Sequence, residues 1–277
     1  MMTWEEAVRW YRGQPNNELA VRANYFDLPV SQAARRYAQS EEFAQILRLL
    51  GQGKGKSILD LGAGNGIASF AFAQACWHVT ALDPDPSEEV GAGAIRSLSC
   101  EANLSINVVE EWGERLPFPD HTFDALHGRQ VLHHARDLDV MLQEVARVTR
   151  PGALLLFTRE HVADNAAQLA AFRTAHPLHH LYGGENAFPL PRYRQAFAEA
   201  GLRLRREWGP LESIINFSPG TEAQRQITVW CAACRSWYGL GTFLAWSAGF
   251  RSRQLKIATQ RHCTPGRIFS FLLEKTC

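Results

Sequence analysis

One short stretch constrains the fold more than any other. An apolar segment runs into three glycines at alternate positions and then into small residues, and it reads Ile58-Leu59-Asp60-Leu61-Gly62-Ala63-Gly64-Asn65-Gly66-Ile67. Glycine suits such a turn because a β-carbon would block the close approach of a ligand and because the φ values there are costly for other residues. We therefore predict a strand, a ligand-binding turn and a helix; a tight connection without a ligand is the alternative.

An acidic residue and the glycine spacing narrow the class of ligand. Asp83 ends the next predicted strand seventeen residues after Gly66, where a carboxylate can accept both hydroxyls of a ribose. The third glycine comes one residue too early for the dinucleotide pattern, and no G-x-x-x-x-G-K-[ST] occurs. Asp60 would repel a phosphate but suits an ammonium group. Together these features predict a nucleoside cofactor.

Short apolar runs alternate with helical patterns after residue 50. Strands are predicted at 57–61, 79–83, 106–109, 123–127, 153–158, 202–208 and 266–274. Such alternation implies right-handed crossovers between parallel strands. We expect an α/β fold with a seven-stranded, mostly parallel sheet and helices on both faces.

The remaining segments are predicted to surround this core. Residues 1–50 are expected to form a helical lid, since Thr3 and Glu6 have capping-box spacing and a helical stretch covers 31–50. The 56 residues from Pro210 to Pro265 exceed an ordinary connection and predict an inserted cap subdomain before the last strand. The core domain then comprises residues 51–209 and 266–277.

Composition excludes several classes of protein. With 277 residues and 46% hydrophobic residues, the chain can bury a sizeable core, and its net charge of +1 argues against a nucleic-acid partner. No apolar run is long enough to span a bilayer, and the N-terminus lacks the pattern of a secretory signal. Six sparse cysteines fit a reduced environment. We expect a cytoplasmic protein with, at most, peripheral membrane contact.

Several segments in order resemble the class I S-adenosylmethionine-dependent methyltransferases, in particular the small-molecule branch that includes quinone-biosynthesis methyltransferases. The resemblance covers about residues 57–157 and is carried by the glycine turn, by Asp83, and by the segments 116–124, 131–134 and 144–152. It implies a Rossmann-like fold and S-adenosylmethionine as the cofactor. The cofactor-binding residues that it implies are Asp60, Gly62, Ala63, Gly64, Gly66, Asp83, Pro84, Trp112, Gly113, Glu114, Gln130 and Val131.

The chain departs from that family at one position. The family usually has Asp-Ala-Glu where this chain reads Trp112-Gly113-Glu114, and the Asp side chain of the family binds the adenine amino group. Trp112 could stack on the purine or belong to the core. Glu114, or the backbone of Gly113, could supply the polar contact instead.

A histidine-rich segment covers residues 160–185 and follows the fifth strand. We predict that it faces the substrate and supplies a general base or substrate contacts; the catalytic candidates are His161, His179, His134, Glu160 and Tyr182. A divalent metal held by some of His161, His176, His179 and His180 with a carboxylate is a less favoured alternative, and no metal site is assigned. The second alternative is a polar lid with hydrogen-bonded histidines.

Two features of the predicted cap are informative. Cys231 and Cys234 have the spacing of a zinc or redox pair, but no second pair exists, so buried thiols are favoured. The uncharged aromatic stretch 236–250 has a basic border at 251–256. It is predicted to line an apolar pocket for an anionic or lipid-like substrate, and contact with a membrane surface is the alternative.

The leading functional hypothesis is methyl transfer to a small or lipid-like molecule, with the acceptor atom left open. A non-catalytic cofactor-binding scaffold and a nicotinamide-dependent oxidoreductase are the alternatives. Base methylation of nucleic acid is disfavoured because His127-Gly128-Arg129-Gln130 follows the fourth strand in place of an Asn-Pro-Pro-Tyr type signature. The oligomeric state is left open.

Overall fold

A computed structural model describes residues 1–234, 246–261 and 264–276. Its centre is a seven-stranded sheet in the order β3-β2-β1-β4-β5-β7-β6. The strands are β1 (Ser57–Leu61), β2 (His78–Leu82), β3 (Ile106–Val109), β4 (Phe123–Arg129), β5 (Thr149–Val162), β6 (Leu202–Trp208) and β7 (Arg267–Lys275).

The first five strands are parallel to one another, and β7 runs antiparallel between β5 and β6. The prediction of a seven-stranded, mostly parallel sheet is therefore confirmed, with strand boundaries that differ by a few residues. Alternate residues of β1 face two different cores, since Ile58 packs into one cluster and Leu59 into the other. Helices therefore cover both faces of the sheet.

The helices are α1 (Trp4–Arg12), α2 (Glu18–Ala23), α3 (Val30–Ala38), α4 (Glu41–Leu50), α5 (Ile67–Gln74), α6 (Ala92–Glu101), α7 (Leu138–Val148), α8 (Ala166–Ala175), α9 (His179–Tyr182), α10 (Leu190–Glu199), α11 (Ile214–Phe217), α12 (Glu222–Cys234) and α13 (Ala248–Arg261). A 3₁₀ turn covers Leu132–His134.

The N-terminal segment is helical, as predicted, but it contains four helices. The capping box forms at α1, where the Thr3 side chain accepts from the backbone N–H of Glu6 and the Glu6 side chain accepts from that of Thr3. The predicted helical stretch 31–50 divides because Ser40 caps α4. A serine side chain that satisfies the free N–H groups of a new helix also ends the preceding one.

The segment between β6 and β7 packs partly against the sheet. Helix α11 contacts α4, β5 and β7, and Ile215 is fully buried there. Cys231 is exposed and Cys234 half-buried, so the prediction of buried thiols was wrong at Cys231; α12 buries only Val229 and Ala233. Much of the aromatic stretch 236–250 lies outside the described residues, as do Cys263 and Cys277.

Helix α8 and the short helix α9 lie within the histidine-rich segment, which shows no helical period in its sequence. Asn165 caps α8 by accepting from the N–H of Gln168. Within the described ranges, no helix is long and apolar enough to cross a membrane.

Candidate active site

The carboxyl ends of the parallel strands open into one cavity of about 820 Å³. Open α/β sheets bind their ligands at this edge, and small-molecule sites typically measure ~300–1,000 Å³. Helix α1 contributes Trp4 and Tyr11 to one wall, and the segment around α9 contributes His176 and Tyr182 to another. No described residue of the 210–265 segment lines this cavity.

The glycine turn adopts the backbone that its sequence predicts. Gly62, Gly64 and Gly66 have φ values of +64°, +55° and +82°. A β-carbon on Gly62 would lie 2.5 Å from Cγ2 of Val131, and Gly66 is the left-handed cap at the start of α5. The turn therefore presents bare backbone to the cavity at Gly62 and Gly64, because side chains rarely adopt these φ values.

Asp60 lies beneath this turn and already has two partners. Its carboxylate accepts a 2.6 Å hydrogen bond from Ser69 Oγ, and its other oxygen is 2.9 Å from His127 Nδ1. The side chain is almost completely buried but still lines the cavity. An ammonium group that contacts Asp60 directly would therefore share these oxygens with Ser69 and His127.

Asp83 directly follows β2 and lies beside the turn. Its two oxygens accept from the backbone N–H groups of Gly64 (2.7 Å) and Asp85 (3.0 Å). Burial disfavours the charged form and raises the pKa of Asp83 to about 7, although both hydrogen bonds oppose that shift. The carboxyl group thus faces the cavity with a charge that changes near neutral pH.

The segment 112–114 also lines the cavity. Trp112 is 43% exposed, so it does not belong to the core, and the Arg136 guanidinium lies 3.5 Å from its ring centroid. Glu114 Oε1 accepts from the backbone N–H of Arg136 at 2.8 Å, whereas its Oε2 is buried without a partner. A buried acceptor without a donor is unfavourable unless a ligand supplies one.

Gln130 and Val131 follow β4, as expected. Gln130 has a φ of +57° and accepts from Arg129 through its side-chain oxygen at 2.9 Å. Val131 packs on Gly62, and its backbone N–H donates to Glu160 at 3.0 Å. Both residues line the cavity.

The histidine end of the cavity combines residues from three parts of the chain. His133 and His134 come from the turn after β4, His161 from the end of β5, and His176 from the loop before α9. The rings of His133 and His134 are 4.2 Å apart, and those of His133 and His161 are 4.8 Å apart. Burial lowers the pKa of His133 and that of His161, so both are neutral at pH 7.

Two carboxylates adjoin these rings. Glu160 is fully buried and is not in contact with the cavity; it accepts from the backbone N–H and from Nδ1 of His133, at 3.1 and 2.7 Å. Glu185 lines the cavity and accepts from the Tyr182 hydroxyl. Burial and the adjacent Glu185 raise the pKa of Tyr182.

His179 and Glu160 are the two predicted catalytic residues that do not line the cavity. His179 is half-buried at the start of α9. His134, His161 and Tyr182 do line the cavity.

Residues 59–157 match the family model of the methyltransferase domain. Over 151 residues the chain is 34% identical to the malonyl-[acyl-carrier protein] O-methyltransferase of Erwinia billingiae, which covers 51% of this chain and 57% of that protein. Over 125 residues it is 36% identical to the ubiquinone/menaquinone biosynthesis C-methyltransferase UbiE of Haemophilus ducreyi, which covers 43% and 48%. The chain spans about half the length of these curated relatives.

Residues 59–157 form a class I S-adenosylmethionine-dependent methyltransferase domain. Solved structures agree on its fold. The geranyl diphosphate C-methyltransferase from Streptomyces coelicolor A3(2), crystallised with Mg²⁺, geranyl diphosphate and S-adenosyl-L-homocysteine, superimposes with a TM-score of 0.59 at 12% identity and covers 98% of this chain and 97% of that chain.

The methyltransferase domain fits its cofactor on two observations. Gly64 lines the cavity beside open space, since a β-carbon there would meet only the Val90 oxygen, at 3.9 Å, and the buried Oε2 of Glu114 lacks a donor that an adenine amino group would supply. S-adenosylmethionine is the cofactor of the domain.

Sequence reasoning missed one buried group of the methyltransferase domain. Arg129 lines the cavity and donates to Glu42 of α4 at 2.9 Å, and Arg159 nearby donates to the backbone oxygens of Ile215 and Ser218. Neither arginine stands in a recognisable sequence pattern. Their partners are distant in sequence, and only the folded chain brings them together.

Proposed function

We propose that the protein transfers a methyl group from S-adenosylmethionine to a small or lipid-like molecule whose acceptor atom enters the histidine end of the cavity. The observation that carries the proposal is that one cavity contacts Asp83 and the glycine turn as well as His133, His134 and His161. Methyl transfer needs mainly an aligned acceptor in a space without water. Holding both reactants in this way supplies up to roughly 7–11 kcal/mol.

The cofactor side uses the residues around the turn. Asp83 accepts from the ribose hydroxyls, and Glu114 accepts from the adenine amino group beside the exposed face of Trp112. The remaining residues that we assign to the cofactor are Asp60, Gly62, Ala63, Gly64, Gly66, Pro84, Gly113, Gln130 and Val131, all but Gly66 of which line the cavity.

The acceptor side of the cavity binds the acceptor molecule and takes up the proton that it releases. When bound, S-adenosylmethionine supplies a methyl group whose bonding electrons stay on the departing sulfur. A protic acceptor must release its proton as the new bond forms. His161 donates from Nδ1 to the backbone oxygen of Gly266 at 2.8 Å, which leaves its Nε2 lone pair free to take that proton. His134 and Tyr182 contact the acceptor from either side.

Two other candidates take different roles. Glu160 is a positioning residue, because its oxygens are occupied by Val131 and His133 and it has no access to the cavity. His179 contributes to the packing of α9. The anionic character of the substrate, which the basic border at 251–256 predicts, stays a prediction because no described residue there reaches the cavity.

Methyl transfer is tested with purified protein, labelled S-adenosylmethionine and a panel of phenols, carboxylates, amines and thiols. We expect S-adenosylhomocysteine to bind in calorimetry and label to appear in one acceptor class. Replacement of His161 by Asn should reduce turnover while cofactor affinity persists. Binding without transfer to any acceptor would favour the scaffold alternative, and absence of binding would contradict the proposal.

A further inference from the structure

Three histidines of the cavity form a hydrogen bond through the same ring nitrogen, Nδ1. Nδ1 of His133 lies 2.7 Å from Glu160 Oε2, Nδ1 of His134 lies 3.2 Å from the Gly184 oxygen, and Nδ1 of His161 lies 2.8 Å from the Gly266 oxygen. Backbone oxygens only accept hydrogen bonds, and Glu160 accepts from two backbone N–H groups as well. Each Nδ1 therefore carries the hydrogen, and each Nε2 keeps its lone pair.

A carboxylate completes the set. His133, His134 and Glu185 each offer one ligand atom, and these atoms lie within 4.8 Å of one another. Glu185 is 5% exposed, and the Tyr182 hydroxyl donates to its Oε1. This hydrogen bond orients the carboxylate and leaves its second oxygen for another partner.

We propose that His133, His134 and Glu185 bind a divalent first-row transition metal ion at the acceptor end of the cavity. Two imidazoles and one carboxylate suit Zn²⁺, Fe²⁺, Co²⁺ or Ni²⁺, whereas Mg²⁺ and Ca²⁺ prefer oxygen ligands. Three protein ligands leave a coordination position open, as in catalytic zinc sites. Metal binding itself does not depend on the proposed function; only the role of the ion, which is to orient the acceptor of methyl transfer, rests on it.

The surroundings of the cluster match those of metal-binding histidines. Such histidines commonly donate their other N–H to a carboxylate or a backbone oxygen, which fixes the ring and its tautomer. His133 donates from Nδ1 to the Glu160 carboxylate, and His134 donates from Nδ1 to the backbone oxygen of Gly184. Bonds of ~2.0–2.2 Å to one ion require the ligand atoms to approach further. Of the three ligands, His134 is the exposed one, so packing restrains its position least.

The test uses the full chain without a histidine tag. The protein is stripped with a chelator, dialysed and titrated with Co²⁺ and Zn²⁺ by calorimetry, and the visible absorption of Co²⁺ reports its coordination geometry. We expect one site per chain and an absorption spectrum typical of four or five ligands. Metal analysis of the untreated protein identifies the ion that it acquires during expression.

Two variants remove ligands and one serves as a matched control. His134→Ala and Glu185→Gln should each weaken Co²⁺ binding by at least about 10–100-fold, since even changes in the outer shell of a metal site have effects of that size. His180→Ala should leave the affinity unchanged. His180 is exposed in the same segment, and its Nε2 contacts the backbone oxygen of Thr174.

Calorimetry with S-adenosylhomocysteine separates this proposal from the proposed function. The two ligand variants should bind it like the unchanged protein, which also shows that they fold. Weak or multiple Co²⁺ binding that His180→Ala alters as much as His134→Ala would overturn the metal site. If the metal proposal fails while S-adenosylhomocysteine binds, the proposed methyl transfer stands.

Discussion

Asp83 links cofactor binding to pH at the scale of a single residue. Its pKa of about 7 means that the neutral form dominates below pH 7 and the carboxylate above it. Ribose hydroxyls donate to the carboxylate, so only the ionised form is fully competent to bind. Affinity for S-adenosylhomocysteine should therefore rise by about tenfold between pH 6 and pH 8.

Calorimetry at several pH values measures this dependence, and Asp83→Asn is the control. The variant should bind more weakly at pH 8 and lose the part of the pH dependence that belongs to Asp83. An equal slope in both proteins would assign the titration to the ligand or to another group.

Glu114 provides a second prediction at this scale. In Glu114→Gln, the amide oxygen can still accept from the backbone N–H of Arg136, which turns the NH₂ group toward the place of the adenine amino group. Two donors would then face each other. We expect affinity for S-adenosylhomocysteine to fall by roughly 10–100-fold, corresponding to ~1.5–3 kcal/mol for a hydrogen bond to a charged group.

The analogue with hypoxanthine in place of adenine tests the same contact. Its oxygen would accept from the new NH₂ group, so Glu114→Gln should discriminate against hypoxanthine less than the unchanged protein does. Glu110→Gln, at an exposed position that pairs with Arg96, should affect neither ligand. If Glu114→Gln kept the adenine preference of the unchanged protein, the adenine contact would be assigned to the backbone instead of the Glu114 side chain.

At the scale of elements, helix α1 lines the cavity and contacts two neighbouring regions of the chain. Arg12 donates to Glu89 at 2.7 Å and to the backbone oxygen of Phe26 at 2.7 Å, and the Trp4 ring lies 4.7 Å from that of Tyr182. The helix therefore joins the loop after β2 to α9. In the proposed function, the loop after β2 lies beside the cofactor and α9 lies beside the acceptor.

Arg12→Ala should loosen the attachment of α1 to the rest of the chain. The loss of partly exposed hydrogen bonds of ~0.5–1.5 kcal/mol predicts release of S-adenosylhomocysteine that is about two- to tenfold faster, measured by stopped-flow fluorescence. Arg22→Ala, at an exposed position of α2, is the control. Equal release rates in the two variants would show that α1 does not restrict exit from the cavity.

At the scale of the whole molecule, a buried ion pair joins the N-terminal helices to the sheet. Glu42 of α4 accepts from Arg129 at the end of β4, and both side chains are largely excluded from solvent. Burial acts to raise the pKa of Glu42, but Arg129 and Arg159 outweigh it, so the pKa lies below the ordinary value. The stabilisation is thus present at neutral pH and is lost as pH falls through the folded-state pKa.

Glu42→Gln should destabilise the whole chain. It leaves the buried Arg129 without its counter-charge, and breaking a buried pair from one side typically lowers the free energy of unfolding by about 3–5 kcal/mol. Denaturant unfolding at pH 7 measures the change, with the exposed Glu18→Gln as the control. A loss below about 1 kcal/mol would mean that water or another acceptor compensates Arg129.

Local chemistry explains why the core could be predicted. The positions of β1 and the glycine turn follow from apolar runs and from φ values that only glycine adopts easily, both of which are properties of adjacent residues. Ser40 shows the limit of this reasoning, because its role as a helix cap divides a stretch that periodicity alone treats as one helix.

The sequence by itself determined the order of the strands along the chain, the glycine turn and the acidic residue that follows β2, since each depends on neighbours in the chain. Only the tertiary structure decided that His133, His134, His161 and Glu185 share one cavity, that Glu160 and His179 lie outside it, and that Arg129 meets Glu42. These contacts join residues 24 to 87 positions apart or separate residues that are close in sequence. Chain folding sets such distances through packing and burial, which no local pattern records.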